Sequence, residues 1–166
     1  MTERAPAQRP APRRPAPPGV QLDATARQII EQLQQDGRRS YAAIGKAVGL
    51  SEAAVRQRVQ KLLDAGVVQI VGITDPRMLG FDRRLMIGVK CEGDLERIAD
   101  DLAAIEETDY VVITAGSFDI LLEAVCEDDG RLLELLGRIR AVDGVVSTES
   151  FVYLKICKQT YSWGAR

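Results

Sequence analysis

The segment Ile44-Gly45-Lys46-Ala47-Val48-Gly49-Leu50-Ser51-Glu52-Ala53-Ala54-Val55-Arg56-Gln57-Arg58-Val59-Gln60-Lys61-Leu62 divides into two short helices about a glycine. Gly45 and Ala47 are small where two helices must approach closely, and Gly49 supplies a tight turn before Leu50. Ser51 is an N-cap residue for the second helix. Beyond it Val55, Val59, Leu62 and Leu63 recur at helical spacing, so one side of that helix is apolar and the other carries charge and amide groups. This is the pattern of a helix-turn-helix, whose second helix enters the major groove of DNA.

Working outward, Leu22 and Asp23 open an earlier helix with Ile29, Ile30 and Leu33 along one side and Gly37 at its end, and Ser40 caps the helix that carries Ile44. Three helices are thus predicted before Gly66. A β-branched run, Val67-Val68-Gln69-Ile70-Val71, reads as a strand or wing, closed by Gly72 and the turn-prone Asp75-Pro76. Met78 to Asp82 connects to a second set of elements. These are a strand over Leu85 to Cys91, a helix from Asp94 to about Glu107, and strands over Tyr110 to Thr114 and Phe118 to Val125. A helix from Asp129 to Val142 and a last strand from Val145 to Ile156 complete the set. The order βαββαβ is that of a ferredoxin-like domain, with two helices on one face of a four-stranded antiparallel sheet. Tyr110 to Thr114 and Leu121 to Val125 are apolar on both faces, which predicts that the uncovered face meets another sheet in a dimer.

Composition narrows the function. The chain has 166 residues, 46% hydrophobic and 28% charged, as in an ordinary soluble protein with a packed core. No apolar run approaches the roughly 20 residues of a membrane helix, and the first residues do not resemble a signal peptide, so a cytoplasmic location is expected. The absence of histidine removes Ser-His triads, His-metal sites and the commonest general base. Cys91, Cys126 and Cys157 form no CxxC pair and fall in apolar runs, as buried strand cysteines do; redox sensing is the alternative. No catalytic residue, metal or cofactor is expected. The net charge of −2 hides a division: Met1 to Gly66 holds 11 Lys/Arg against 6 Asp/Glu, whereas Val67 to Arg166 holds 11 against 18. A basic head on an acidic body points to a polyanion partner for the head alone. Six of the seven prolines, with Arg4, Arg9, Arg13 and Arg14, lie before Val20 and predict a disordered arm, either a solvated tail or a DNA-contacting extension.

If the helix after Ser51 lies in the major groove, its core stripe assigns the opposite face to DNA. Ser51, Glu52, Ala53, Arg56 and Gln57 occupy the first turns, which reach deepest. Arg56 can donate two bonds to guanine, Gln57 can read adenine, and Glu52 can accept from cytosine. Arg38, Arg39, Ser40, Tyr41 and Lys61 are placed to meet phosphates, which set register without reading sequence. Arg58 suits either DNA or an intramolecular ion pair.

From Leu22 to Lys155 the chain resembles the leucine-responsive/asparagine-responsive (Lrp/AsnC) regulators. The resemblance rests on Leu22-Asp23, Asp36-Gly37-Arg38, Val48-Gly49-Leu50-Ser51, Arg58-Val59 with Leu62, Ala65-Gly66-Val67-Val68, Asp75-Pro76, Leu79-Gly80, Gly116-Ser117-Phe118-Asp119 and Asp143-Gly144-Val145, in that order. It implies an α+β chain: an N-terminal winged helix-turn-helix followed by a ferredoxin-like (RAM-type) domain. The expected divisions are an arm at 1–21, the DNA-binding domain at 22–72, a linker at 73–83, the oligomerisation and effector domain at 84–157 and a tail at 158–166. It further implies dimers, often assembled into tetramers or octamers, that bind amino acids or related molecules in crevices bordered by Thr114, Gly116, Ser117, Phe118 and Asp119. Glycine there would let a ligand carboxylate approach backbone N–H groups, and Asp119 would pair with an α-ammonium group; alternatively Asp119 satisfies local backbone donors. Many members carry an acidic residue where this chain has Ser117. The tail holds Tyr161 and the single tryptophan, Trp163, aromatic residues suited to pack on a neighbouring subunit or to end loosely.

The function expected is sequence-specific binding of double-stranded DNA by a homo-oligomeric transcriptional regulator, modulated by an amino acid and without membrane contact. Two recognition helices of a dimer would enter successive major grooves roughly 34–36 Å apart. The alternatives are an architectural DNA-binding protein without an effector and an amino-acid-sensing regulatory subunit of an enzyme.

Overall fold

The computed structural model describes residues 22–160. The expected arm and the aromatic residues of the tail, Tyr161 and Trp163, lie outside the described residues. The chain divides into two units, one reaching to Gly72 and the other spanning Ile73–Gln159.

In the first unit, α1 (Ala24–Gln35), α2 (Tyr41–Val48) and α3 (Glu52–Asp64) each begin at a side-chain cap. Asp23 accepts from the Ala26 amide at 2.7 Å, Ser40 from Ala43 at 3.2 Å and Ser51 from Ala54 at 3.2 Å. Each cap satisfies an amide that the first turn leaves without an intrahelical partner. Gly49 adopts φ +73°, which lets α2 turn directly into Leu50. Gly45 is buried, and an added Cβ would stand 2.5 Å from the Leu50 carbonyl oxygen. Around this crossing the helices bury Ile29, Ile30, Leu33, Ile44, Val55, Val59 and Leu62 in one core.

The run Val67–Val71 was expected to form a strand or wing, and here the structure differs: none of 65–75 is in a strand. A wing needs two strands to exchange hydrogen bonds, and Gly72 and Asp75-Pro76 end the run before a second can return. Val67 and Val68 pack against the helical core, while Ile70, Val71 and Ile73 remain exposed. The Asp75-Pro76 turn opens a 3₁₀ turn at Pro76–Leu79.

The second unit is β1 (Arg83–Cys91), α4 (Leu95–Ala103), β2 (Thr108–Ile113), β3 (Ile120–Cys126), α5 (Asp129–Arg140) and β4 (Val145–Val152). The sheet order is β2-β3-β1-β4 and the pairs are antiparallel, as a ferredoxin-like domain requires. Alternation divides the strands into two faces. Leu85, Ile87 and Val89 of β1 and Ile120, Leu122 and Ala124 of β3 are buried beneath Ile98 and Leu102 of α4 and Leu135 and Ile139 of α5. The other face carries cross-strand rows. Tyr110, Glu123, Met86 and Phe151 form one, and Val112, Leu121, Gly88 and Glu149 the next. Helix α4 ends four residues before the predicted Glu107 and β4 four before Ile156; the predicted caps and core positions are unaffected.

Candidate functional site

Helix α3 turns Val55, Val59 and Leu62 inward, which leaves Glu52, Ala53, Arg56, Gln57 and Lys61 exposed. Ser51 caps the helix, so its hydroxyl serves the Ala54 amide. Arg56 Nη2 donates to Glu52 Oε1 at 2.8 Å, one turn away, and its guanidinium carbon lies 5.3 Å from the centre of the Tyr41 ring. Arg58, which the sequence left open, donates to Asp23 Oδ2 at 2.7 Å and ties α3 to the start of α1. That bond, reinforced by the Ala26 amide, holds the Asp23 carboxyl below the usual carboxylate range.

The residues expected to meet phosphate gather at the start of α2. Arg38, Arg39, Ser40 and Tyr41, with Gly37 and Ile70, line a concavity of about 250 Å³. They are not equivalent. Arg38 is exposed, whereas Arg39 is half-buried and donates to Gln32 Oε1 at 2.5 Å, with Gln35 Oε1 at 3.4 Å. Tyr41 packs its ring partly on the helical core. Arg39 and Tyr41 therefore hold this corner together as well as bordering it.

In the second unit the β2–β3 turn is closed by its own residues. Thr114 donates from its amide to the Asp119 carbonyl at 2.8 Å and from Oγ1 to the Phe118 carbonyl at 2.5 Å. Thr114, Ala115, Gly116, Ser117, Phe118 and Leu121 line an open depression of about 300 Å³. Asp119 is not part of that lining: its amide donates to the Val89 carbonyl, and its Oδ2 accepts from the Cys91 amide at 2.8 Å. Of the two readings of Asp119, the geometry therefore shows the carboxylate that satisfies a local backbone donor. Burial, with the Asp119 charge, pushes the Cys91 thiol up and so favours its protonated form.

Residues 22–63 match the AsnC-type helix-turn-helix domain, and residues 84–163 match the Lrp/AsnC ligand binding domain. The chain is 32% identical over 144 residues to an uncharacterized HTH-type transcriptional regulator of Pyrococcus furiosus, covering 85% of this chain and 97% of the relative. The chain belongs to the Lrp/AsnC family. Escherichia coli AsnC superposes with a TM-score of 0.74 at 26% identity over 86% of this chain and 98% of its own. A transcriptional regulator of Neisseria meningitidis, solved as a complex with L-Met, does so with a TM-score of 0.74 at 26% identity over 84% and 94%. This Lrp/AsnC protein is thus a DNA-binding transcriptional regulator with a ligand-binding domain, and its relatives are regulators rather than enzymes.

Among the described residues of this regulator, no helix is long and apolar enough to cross a membrane. Two features of the Lrp/AsnC sheet escaped the sequence reading. The Phe118 ring lies over Gly88, where an added Cβ would come within 2.6 Å of ring carbons, and meets Phe151 edge-on with centroids 6.1 Å apart. A glycine inside a strand signals such a close approach, and the alternation of Met86, Gly88 and Lys90 with buried residues was the available clue. The second is a charged cluster on the same face: Arg84 pairs with Glu123 at 2.8 Å, with both side chains about four-fifths buried, and lies 5.7 Å from the Tyr153 ring centre.

Proposed function

We propose that this regulator reads its operator with Glu52, Ala53, Arg56 and Gln57 of α3 and is oriented on the duplex by Arg38 and Ser40 of the corner that Tyr41 borders, with Lys61 on a further phosphate. The observation that carries this is the division of α3: Val55, Val59 and Leu62 are sealed in the core, and the opposite face leads with the groups that pair with base edges. It acts in the cytoplasm as a homodimer that joins into larger assemblies. The open sheet face supports self-association, because half-buried Met86, Val112, Leu121 and Phe118 and exposed Phe151 form an apolar surface crossed by one neutralised ion pair, with Glu149 on the edge strand.

The effector is an amino acid, held by the backbone of Ala115 to Ser117 beside Thr114, with a second subunit closing the depression. Support comes from the L-Met complex of the Neisseria relative and from the turn itself, whose small residues Ala115, Gly116 and Ser117 are exposed and allow close approach to the backbone. Asp119 contributes by fixing the turn to β1. A reading without an effector is favoured by one observation: among the described residues, no charged side chain lines the depression. Melting and sedimentation of the full chain against the twenty amino acids separate the two. The proposal expects at least one amino acid, at millimolar concentration, to raise the melting temperature or change the assembly, and expects the effect to shrink in Gly116→Val. No response to any of them would leave the effector-free reading standing.

A further inference from the structure

We propose that Tyr41 is a positioning residue for Arg56: its ring, together with Glu52, sets the guanidinium in the orientation in which α3 reads DNA. The proposal rests on α3 being the recognition helix. Tyr41 is the first residue of α2, and three features fix its place: the Ser40 cap behind it, the contact of its ring with the helical core, and the turn at Gly49 that brings α3 alongside. It belongs to a different helix from the side chain it supports. Arg56 is about two-thirds exposed and on a flexible stem, so nothing in its own helix beyond Glu52 would direct it.

The arrangement leaves the reading chemistry intact. A cation–π contact uses the ring face and consumes no N–H, and the bond to Glu52 takes one of the five guanidinium donors. Four remain, and a guanine contact needs two. Glu52 has a second carboxylate oxygen with which to accept from a neighbouring cytosine. Tyr41, Arg56 and Glu52 therefore act as one unit with its entropy cost met before DNA arrives. This differs from a phosphate role for Tyr41, which would require its hydroxyl.

The test uses the full chain, a duplex chosen by selection from a random pool, and a scrambled duplex of equal length. Tyr41→Phe keeps the ring and should leave the affinity for each of the two duplexes within about twofold of wild type. Tyr41→Leu keeps apolar volume without the ring and should lower specific affinity about two- to fivefold while leaving scrambled binding unchanged. Arg56→Ala should lower the ratio by about five- to 150-fold. In that background Tyr41→Leu should have no further effect. A Tyr41→Phe variant that weakens both duplexes alike would overturn the proposal in favour of a phosphate contact. A Tyr41→Leu loss that persists alongside Arg56→Ala would overturn it in favour of a merely structural role, including a folding defect. An unchanged ratio in Arg56→Ala would instead remove the underlying assignment of α3, an outcome distinct from both.

Discussion

Single residues decide how closely the elements of this regulator approach. Gly45 is the clearest instance, because the Cβ of Gly45→Ala would press on the backbone oxygen of Leu50, which cannot swing aside as a side chain would. Overpacking of that kind costs about 1–3 kcal/mol, and thermal unfolding should show the loss. Gly88→Ala makes a different prediction. There the obstacle is the Phe118 ring, so the substitution should disturb the β2–β3 turn, read as a weakened response to the effector and altered Phe118 ring signals in NMR. Gly45 was legible in the sequence because small residues at a helix crossing recur with local spacing. Asp119 was legible only as a choice between two roles. Which donor its carboxylate meets depends on β3 lying beside β1, some 28 residues earlier, and no local pattern contains that pairing.

At the level of helices and strands, caps and periodicity did most of the work. Asp23, Ser40, Ser51 and Asp94 were all visible as helix starts, since the side chain and the amide it serves lie within three residues. Ser51→Ala should therefore cost about 1 kcal/mol of stability, measured by denaturant unfolding, before any effect on DNA is considered. The wing was misread because β-branched residues report a preference for extended backbone and cannot report whether a partner strand exists. Strand β2 carries a pH prediction. Its register shifts at Asp109, whose carboxyl is held above the ordinary range by desolvation and by the Glu123 charge, with partial relief from Arg84; the side chain is exposed, so solvent screening keeps the effect on stability small. The folded state thus binds this proton more tightly than the unfolded chain, and stability falls as pH rises from about 4, the unfolded value, through the raised folded value. Asp109→Asn should raise the melting temperature slightly at neutral pH, and the gain should disappear below about pH 4.

For the whole molecule, the division of charge seen in the sequence follows the two units in sign: the helix-turn-helix residues 22–66 hold 7 Lys/Arg against 5 Asp/Glu, with a further four arginines before them, and the sheet domain is acidic. Coulomb attraction of the duplex to one unit and not the other orients the encounter, and each phosphate neutralised adds about 0.9 to the slope of log affinity against log salt. The proposed self-association belongs to the other unit. Leu121→Glu, at the centre of the open sheet face, should shift the sedimenting species toward monomer and weaken binding to two-fold operators more than to single half-sites. The most direct measurement is the affinity of the full chain for its selected operator and for a scrambled duplex over a series of salt concentrations. A preference of about a thousandfold or more at physiological salt, reduced by Arg56→Ala and by Gln57→Ala with scrambled binding unchanged, is the result expected of a regulator that reads through α3. Equal affinity for the two duplexes at every salt concentration would contradict it.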